Sequence, residues 1–256
     1  MSDRFILTPY FLDEPDLPLN DLAADDWRIV TADLALGEPT ARMGELYNAL
    51  ANEVAAALAA GERPVSIAGD CCATIGVMAG LQRAGVQSTL LWFDAHGDFN
   101  TWETTPSGFL GGMPLAMAVG QGEQTLLEVT GLRLLPPSRV VLVDGRDLNP
   151  GERENISRSG ITHRPDITQL LWSRGIPNGP LYVHFDCDII NPDDAPAQNY
   201  PASGGPSAEV VKDVFRALAA TDRIVAISVS LWEPSLDPDG HTQAVVQGAL
   251  NALLGQ

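Results

Sequence analysis

Basic residues are scarce in this chain of 256 residues: 15 lysines and arginines stand against 33 acidic residues, for a formal net charge of −18. That balance excludes broad contact with nucleic-acid phosphates or anionic membrane surfaces, and it favours cations. Cysteine is rare as well. Cys71, Cys72 and Cys187 are the full complement, and two of them are adjacent. An odd, crowded set excludes a disulfide framework and suits a reducing compartment. No apolar run approaches the roughly 20 residues needed to cross a bilayer. Met1-Ser2-Asp3-Arg4-Phe5 also lacks the basic-then-apolar pattern of a secretory leader. The expected location is therefore cytoplasmic. Internal repeats, low-complexity stretches and long linkers are missing too, so the expectation is a single domain over 1–256.

What is present describes a globular protein. Hydrophobic residues make up 45% of the chain and charged residues 19%, enough to build a substantial core. Short β-branched runs at Pro64–Ala68, Ser88–Phe93, Arg139–Val143, Leu181–Phe185 and Ile224–Val229 predict strands. Between them, Ala-rich or amphipathic stretches at Thr40–Ala60, Ala73–Ala84, Ser207–Ala220 and Gln243–Leu254 predict helices. Near-continuous apolar strands alternating with helices imply an α/β fold, a parallel sheet covered on both faces.

An acidic motif recurs directly after the predicted strands. Gly69-Asp70-Cys71, Asp94-Ala95-His96-Gly97-Asp98, Asp144-Gly145-Arg146-Asp147, Asp186-Cys187-Asp188 and Trp232-Glu233-Pro234 come in turn. In a parallel sheet these carboxyl ends lie along one edge, where sites form. Residues two apart on an extended segment share a side, so Asp94, His96 and Asp98 should converge, and Asp186 with Asp188 likewise. A single aspartate at such a place is commonly a turn or cap residue. Two clusters in one chain point instead to a metal pocket. The hard, oxygen-rich set suits Mn²⁺, and a carboxylate-bridged pair of ions accommodates the number of ligands.

Asp94-Ala95-His96-Gly97-Asp98-Phe99-Asn100-Thr101 resembles the signature of the arginase (ureohydrolase) superfamily. So does Asp186-Cys187-Asp188-Ile189-Ile190-Asn191-Pro192, together with Gly69-Asp70, Gly145-Arg146-Asp147, Pro150-Gly151-Glu152 and Glu233-Pro234. The resemblance implies a three-layer α/β/α fold with a central parallel sheet and two Mn²⁺ ions per chain. It implies Asp94 and Asp186 as bridging ligands, His96 and Asp188 on one ion, and Asp98 on the other. Further along, Asn100, Thr105 and Ser107 match positions that hold a substrate carboxylate, Asn149 the position facing the amino end, and Glu233 the partner of the guanidinium. In the implied reaction the metals activate water for attack on a guanidino carbon, while Asp98 holds the proton and Glu233 steadies the developing charge. The partner is a small guanidino compound, and family members are often trimers or hexamers, so a homo-oligomer is allowed.

Two positions depart from the family pattern. Where members carry a histidine ligand after Gly-Gly-Asp, this chain has Cys71. Either Cys71 is a softer ligand, which would loosen the first metal or favour Zn²⁺ or Fe²⁺, or it is a small packed residue at a helix start. A helix N-terminus there would lower its pKa. The second departure is Gly111, in the place of the histidine that shuttles a proton to the leaving amine. Loss of a general acid costs about 10²–10⁴ in rate, so an N-hydroxylated guanidine, far less basic than arginine's own, becomes a candidate substrate. His163 and His241 are candidate replacements for the shuttle, although each lies in a loop-like context. His184, two residues before Asp186, is expected to bond a ligand from deeper in the sheet or to be an ordinary buried histidine. The other function open to such a chain is a catalytically degenerate arginase fold that binds metal or ligand in a regulatory role.

Overall fold

The computed structural model describes all residues except 33, 35, 36, 173 and 231. The strands are β1 (Asp3–Thr8), β2 (Tyr10–Phe11), β3 (Glu14–Pro15), β4 (Arg28–Ile29), β5 (Arg63–Ala68), β6 (Thr89–His96), β7 (Val140–Asp147), β8 (Thr162–Arg164), β9 (Leu181–Asp186) and β10 (Ile224–Ser230). The helices are α1 (Pro39–Ala59), α2 (Thr74–Arg83), α3 (Pro114–Ala118), α4 (Thr125–Thr130), α5 (Pro150–Ser159), α6 (Ala208–Ala219) and α7 (His241–Leu254). One eight-stranded sheet runs in the order β4-β1-β5-β10-β9-β6-β7-β8. Every neighbouring pair in it is parallel. A small antiparallel hairpin, β2–β3, stands apart from it. Among the described residues no helix is long and apolar enough to cross a membrane.

Strand alternation divides the core into two layers. Leu90 and Trp92 of β6, Val140 and Leu142 of β7 and Tyr182 of β9 face one way, toward α1 and α2. Leu91 and Phe93, Val141 and Val143, and Leu181, Val183 and Phe185 face the other way, toward α6 and α7. Both faces are apolar, as a parallel sheet between helices requires. The five central strands lie where the sequence places them, and β6 and β7 run on into the acidic motifs. The apolar pattern of the sequence does not reveal β1, β4 and β8. β4 and β8 are only two and three residues long at the sheet margins, too short for a period to register. Helix α5 is equally hidden, because Glu152 and Ile156 are its only buried residues and it lacks an apolar stripe.

Order along the sheet does not match order along the chain. β5 and β6 are consecutive among the sheet's strands in sequence, yet β10 and β9 separate them. This arrangement gathers the carboxyl ends of β5, β10, β9 and β6 at the centre of one edge, where a crevice forms.

Helices α1 and α2 cover one face and pack closely through glycine. A Cβ on Gly80 would lie 2.6 Å from the Val54 Cβ and 2.7 Å from the Ala51 carbonyl oxygen, and one on Gly76 would lie 2.8 Å from the Tyr47 oxygen. The expected effect of Gly80→Ala is therefore opposite to helix propensity. Propensity alone favours alanine by about 1 kcal/mol, but overpacking costs about 1–3 kcal/mol. Gly248→Ala in α7, which would meet only the flexible end of Lys212 at 3.2 Å, should stabilise. Urea unfolding of both variants checks the contrast.

Candidate functional site

The site begins with carboxylates held by backbone and indole donors. Asp94, at the end of β6, accepts from the Trp92 Nε1 at 2.9 Å and the His96 amide at 2.6 Å. Asp186, at the end of neighbouring β9, accepts from the Asp188 amide at 2.9 Å. Its other oxygen receives the Cys71 Sγ at 2.7 Å and the Ser230 hydroxyl at 3.2 Å. Asp188 accepts from the Ala95 amide at 3.1 Å, which ties the two strand ends together. His96 Nδ1 sits 2.9 Å from Asp188 Oδ2 and 3.5 Å from Asp94 Oδ1. Asp94, Asp186 and Asp188 are each at most 1% exposed, whereas the His96 side chain keeps 27% of its surface in solvent. The opening of the site is on the His96 side.

Two overlapping donor sets result. Asp94, His96 and Asp188 place one ligand atom each within 4.8 Å of one another. Cys71, Asp94, His184 and Asp186 do the same deeper in the molecule. Asp98 belongs to neither set. β6 ends at His96, its register against β7 shifts between Asp94 and His96, and Asp98 takes a left-handed φ of 47°. The strand alternation expected to align Asp98 therefore stops before reaching it. Asp98 is nevertheless buried, and its Oδ2 has no hydrogen-bond partner.

This concentration of like charge shifts the groups within it. Burial first, then the charge of Asp188, pushes the Asp94 and Asp186 carboxyls up; burial and Asp94 push Asp98 well up. Burial works against a charged His96, yet its contacts with Asp188 and Asp94 prevail, and its pKa is pushed up to about 12. Buried carboxylates crowded this closely need a proton or a metal ion shared among them. An oxygen-rich set with an unpartnered buried carboxylate oxygen fits divalent ions.

Cys71 departs from expectation. It opens a short turn before α2, but burial and the charge of Asp186 raise its pKa well above the ordinary thiol value. The few amides at the helix start do not offset that, and without a cation beside it Cys71 is a thiol donor to Asp186. Of the two roles expected for His184, the structure shows the buried histidine, because it bonds no carboxylate. Its Nδ1 pairs with the Ser228 hydroxyl at 2.9 Å, and its Nε2 is buried without a partner. Burial holds its pKa down at about 3, against the pull of Asp94.

Of the loop residues, Asn100 and Asn149 meet directly. The Asn149 side-chain amide donates to Asn100 Oδ1 at 2.8 Å, and Asn149 Oδ1 caps α5 through the Glu152 amide at 3.0 Å. Thr105 and Ser107 face each other at 3.5 Å on the loop beyond Asn100. Glu233 does not join either carboxylate set. Its oxygens accept from the Ser235 amide at 2.9 Å and the Asn199 side chain at 3.3 Å. It lines a cavity with Phe11, Asp16, Asn199 and Tyr200. Against partial burial, those hydrogen bonds hold its pKa below the usual carboxylate value. Neither candidate shuttle histidine is in place. His163 pairs with the Asp144 carbonyl at 2.7 Å on the far side of β7, and His241 pairs with the Asp194 carbonyl at the start of α7.

Three contributors escaped sequence reasoning. Arg146 pairs with Asp144 and donates to the carbonyl oxygens of Asp188, Ile189 and Ala202, clamping the turn that carries Asp188. Glu152 holds the Phe99 amide at 2.9 Å and so fixes the loop around Asp98. Phe109 fills the space over Gly111: a Cβ on Gly111 would collide with its ring. Phe109 is seated between Phe11 and Tyr200, with ring centroids 6.0 and 5.2 Å away. Arg146 and Glu152 had a signal, since each lies within a quoted motif. Phe109 had none.

Known proteins resemble this chain in sequence and in fold. The sequence model described as "Arginase family" matches residues 11–255. The N(omega)-hydroxy-L-arginine amidinohydrolase of Streptomyces lavendulae is 29% identical over 247 residues, 96% of this chain and 83% of that protein. The arginase of Bacillus caldovelox is 30% identical over 84% of this chain and 76% of its own length. Among solved structures, arginase from Bacillus cereus covers 100% of this chain and 99% of its own with a TM-score of 0.85 at 23% identity. That of Bacillus caldovelox covers the same shares with a TM-score of 0.83 at 25% identity.

The Phe109 contact generates a prediction. Gly111→His should lose stability by about 1–3 kcal/mol through overpacking, and Phe109→Ala should relieve that loss. A double-mutant cycle read by urea unfolding should give a coupling of at least about 1 kcal/mol between the two positions. Additive effects would mean that Phe109 does not occupy the space.

Proposed function

Because the chain belongs to the arginase family, we propose that it is a metal-dependent hydrolase of a guanidino C–N bond that prefers an N-hydroxylated guanidine to arginine. The reaction adds water across the scissile bond and releases an amine together with hydroxyurea, or urea from an unmodified guanidine. The reading rests on one observation: the buried carboxylates of Asp94, Asp186 and Asp188 meet beside the half-buried His96 at the centre of one sheet edge, within the span that metal ligands occupy. When bound, a pair of divalent ions such as Mn²⁺ would supply an activated water and an electrophilic surface for the guanidino group.

The chain's own residues supply the rest. Asp94 and Asp186, on neighbouring strands, are the carboxylates suited to lie between two ions. His96 and Asp188 complete the solvent-facing side, and Asp98, with its free buried Oδ2, is suited to hold the proton of the attacking water. Asn100, Thr105, Ser107 and Asn149 form a neutral polar rim that can receive a carboxylate without adding to the negative charge beneath. Glu233 is the group available to pair with a guanidinium. Arg146 and Glu152 act through other residues, fixing Asp188 and the Asp98 loop.

Substrate preference derives from Gly111 and Phe109. With a phenyl ring over Gly111, no side chain at that position delivers a proton to the leaving amine. The amine that departs is the same from either substrate, but an N-hydroxylated guanidine is far less basic as a whole. It can therefore enter neutral, with a carbon more open to attack by water, and the easier addition offsets part of the missing acid. The amidinohydrolase of Streptomyces lavendulae, similar over nearly the whole chain, carries such a substrate in its name, which supports the choice.

The test is turnover of arginine, N-hydroxyarginine, agmatine and guanidino acids by Mn²⁺-loaded protein. The hydroxylated substrate should exceed arginine in kcat/KM by at least about tenfold, a modest part of the 10²–10⁴ that a general acid is worth. Asp94→Asn and Asp186→Asn should each cost more than about 100-fold in activity and metal affinity, since even outer partners of ligands cost 10–100-fold. Two ions bound with no turnover on any of these compounds would replace the enzyme by a metal-binding regulatory protein.

A further inference from the structure

We propose that His184 is a metal ligand, and that with Cys71 it forms a deep, softer position beneath the oxygen-rich one at His96. The inference rests on the metal site of the proposed function and adds to it a ligand and a metal preference that the proposed function does not contain.

His184 lies on β9 two residues before Asp186, on the same face of the sheet. It is fully buried. One side of the ring is anchored, because Nδ1 pairs with the Ser228 hydroxyl at 2.9 Å, and that hydroxyl pairs with the Tyr182 hydroxyl at 2.7 Å. The ring is packed against Trp92, whose centroid is 4.1 Å away. What is left is Nε2, a buried polar atom with no partner. An orphaned buried nitrogen is costly, so a well-packed interior has reason to satisfy it. His184 is in the donor set that includes Cys71, Asp94 and Asp186, whose ligand atoms all lie within 4.8 Å of one another. A tetrahedral ion with bonds of about 2.0–2.3 Å spaces its donors roughly 3.3–3.8 Å apart. The set is therefore close to the size that one such ion requires.

The arrangement is an exchange of positions. Family members hold the first metal with a histidine at the helix start, where this chain has Cys71. Here a histidine rises from the sheet floor instead, into the same donor set as the thiol. Fixing Nδ1 by a hydroxyl and leaving Nε2 open is how ligating histidines are oriented. One sulfur, one nitrogen and two carboxylate oxygens form a softer set than the outer one, so Zn²⁺, Co²⁺ or Fe²⁺ should win over Mn²⁺ at the deep position.

Cobalt tests this without reference to activity. Protein freed of metal and titrated with Co²⁺ should take up two ions per chain, one of them with a thiolate-to-cobalt charge-transfer absorption. Cys71→Ser should abolish that absorption. His184→Gln should weaken uptake of the absorbing ion by more than about 100-fold, beyond the 10–100-fold cost of losing an outer partner, while the second ion stays bound and reports an intact fold. If His184→Gln does not fold, Ser228→Ala decides, because it keeps the imidazole but removes its anchor. A loss of about 10–100-fold in affinity for the absorbing ion supports the inference, and no change overturns it. Two ions bound to His184→Gln with unaltered affinity and absorption would overturn the His184 role and leave the proposed function standing. A wild-type protein that binds no divalent ion would overturn both.

Discussion

Buried negative charge is the constraint on which the rest of this molecule depends. Asp94, Asp186 and Asp188 are withdrawn from water at the tips of adjacent strands, and isolated carboxylates in such surroundings are unstable by several kcal/mol each. Only a cation makes them compatible with folding as charged groups. The parallel sheet serves this end directly. Its inserted strands β9 and β10 bring sequence-distant aspartates to one spot, and backbone amides from the turns beyond satisfy the oxygens that the cation does not reach.

The structure around the carboxylates is asymmetric, and the proposed chemistry depends on that asymmetry. On the outer side stand the half-buried His96 and, on the loops beyond the strand ends, the Asn100–Asn149 pair and Glu233, all polar. On the inner side stand Trp92, Tyr182, Ser228, Cys71 and His184, packed and anchored. Phe109, Phe11 and Tyr200 replace a proton-donating side chain by a hydrophobic cover over Gly111. A centre of this kind keeps the means to activate water but cedes the means to protonate a strongly basic leaving group. That loss ties substrate choice to the basicity of the guanidine under attack, not to the shape of the cleft alone.

Much of the architecture was legible in the sequence, for identifiable reasons. The strands β5, β6, β7, β9 and β10 are buried on both faces, so their apolar runs stand out from any background. The acidic motifs were legible because strand ends in a parallel sheet share an edge. Asp98 was legible as a residue but not in its geometry, since a left-handed backbone at that position is invisible to a rule of alternation. Family resemblance singles out Glu233 and Asn149, yet their hydrogen bonds to Ser235, Asn199 and Asn100 depend on loops whose paths no local pattern specifies. Phe109 and His184 were the least legible. Their importance comes from what they touch, Gly111 in one case and the Cys71 set in the other, and both contacts arise only when the chain has closed on itself. The thiol of Cys71 shows the same limit: proximity to a helix start suggested an acidic thiol, but burial beside Asp186 has the opposite effect.

The central claim is that Asp94 and Asp186 share divalent ions between them. Anomalous diffraction from crystals grown with excess Mn²⁺, recorded at the manganese edge, tests it most directly. The account predicts two anomalous peaks in the space between these side chains, with Asp94 and Asp186 each touching both. A map without peaks there, in crystals whose carboxylates point apart, would contradict it.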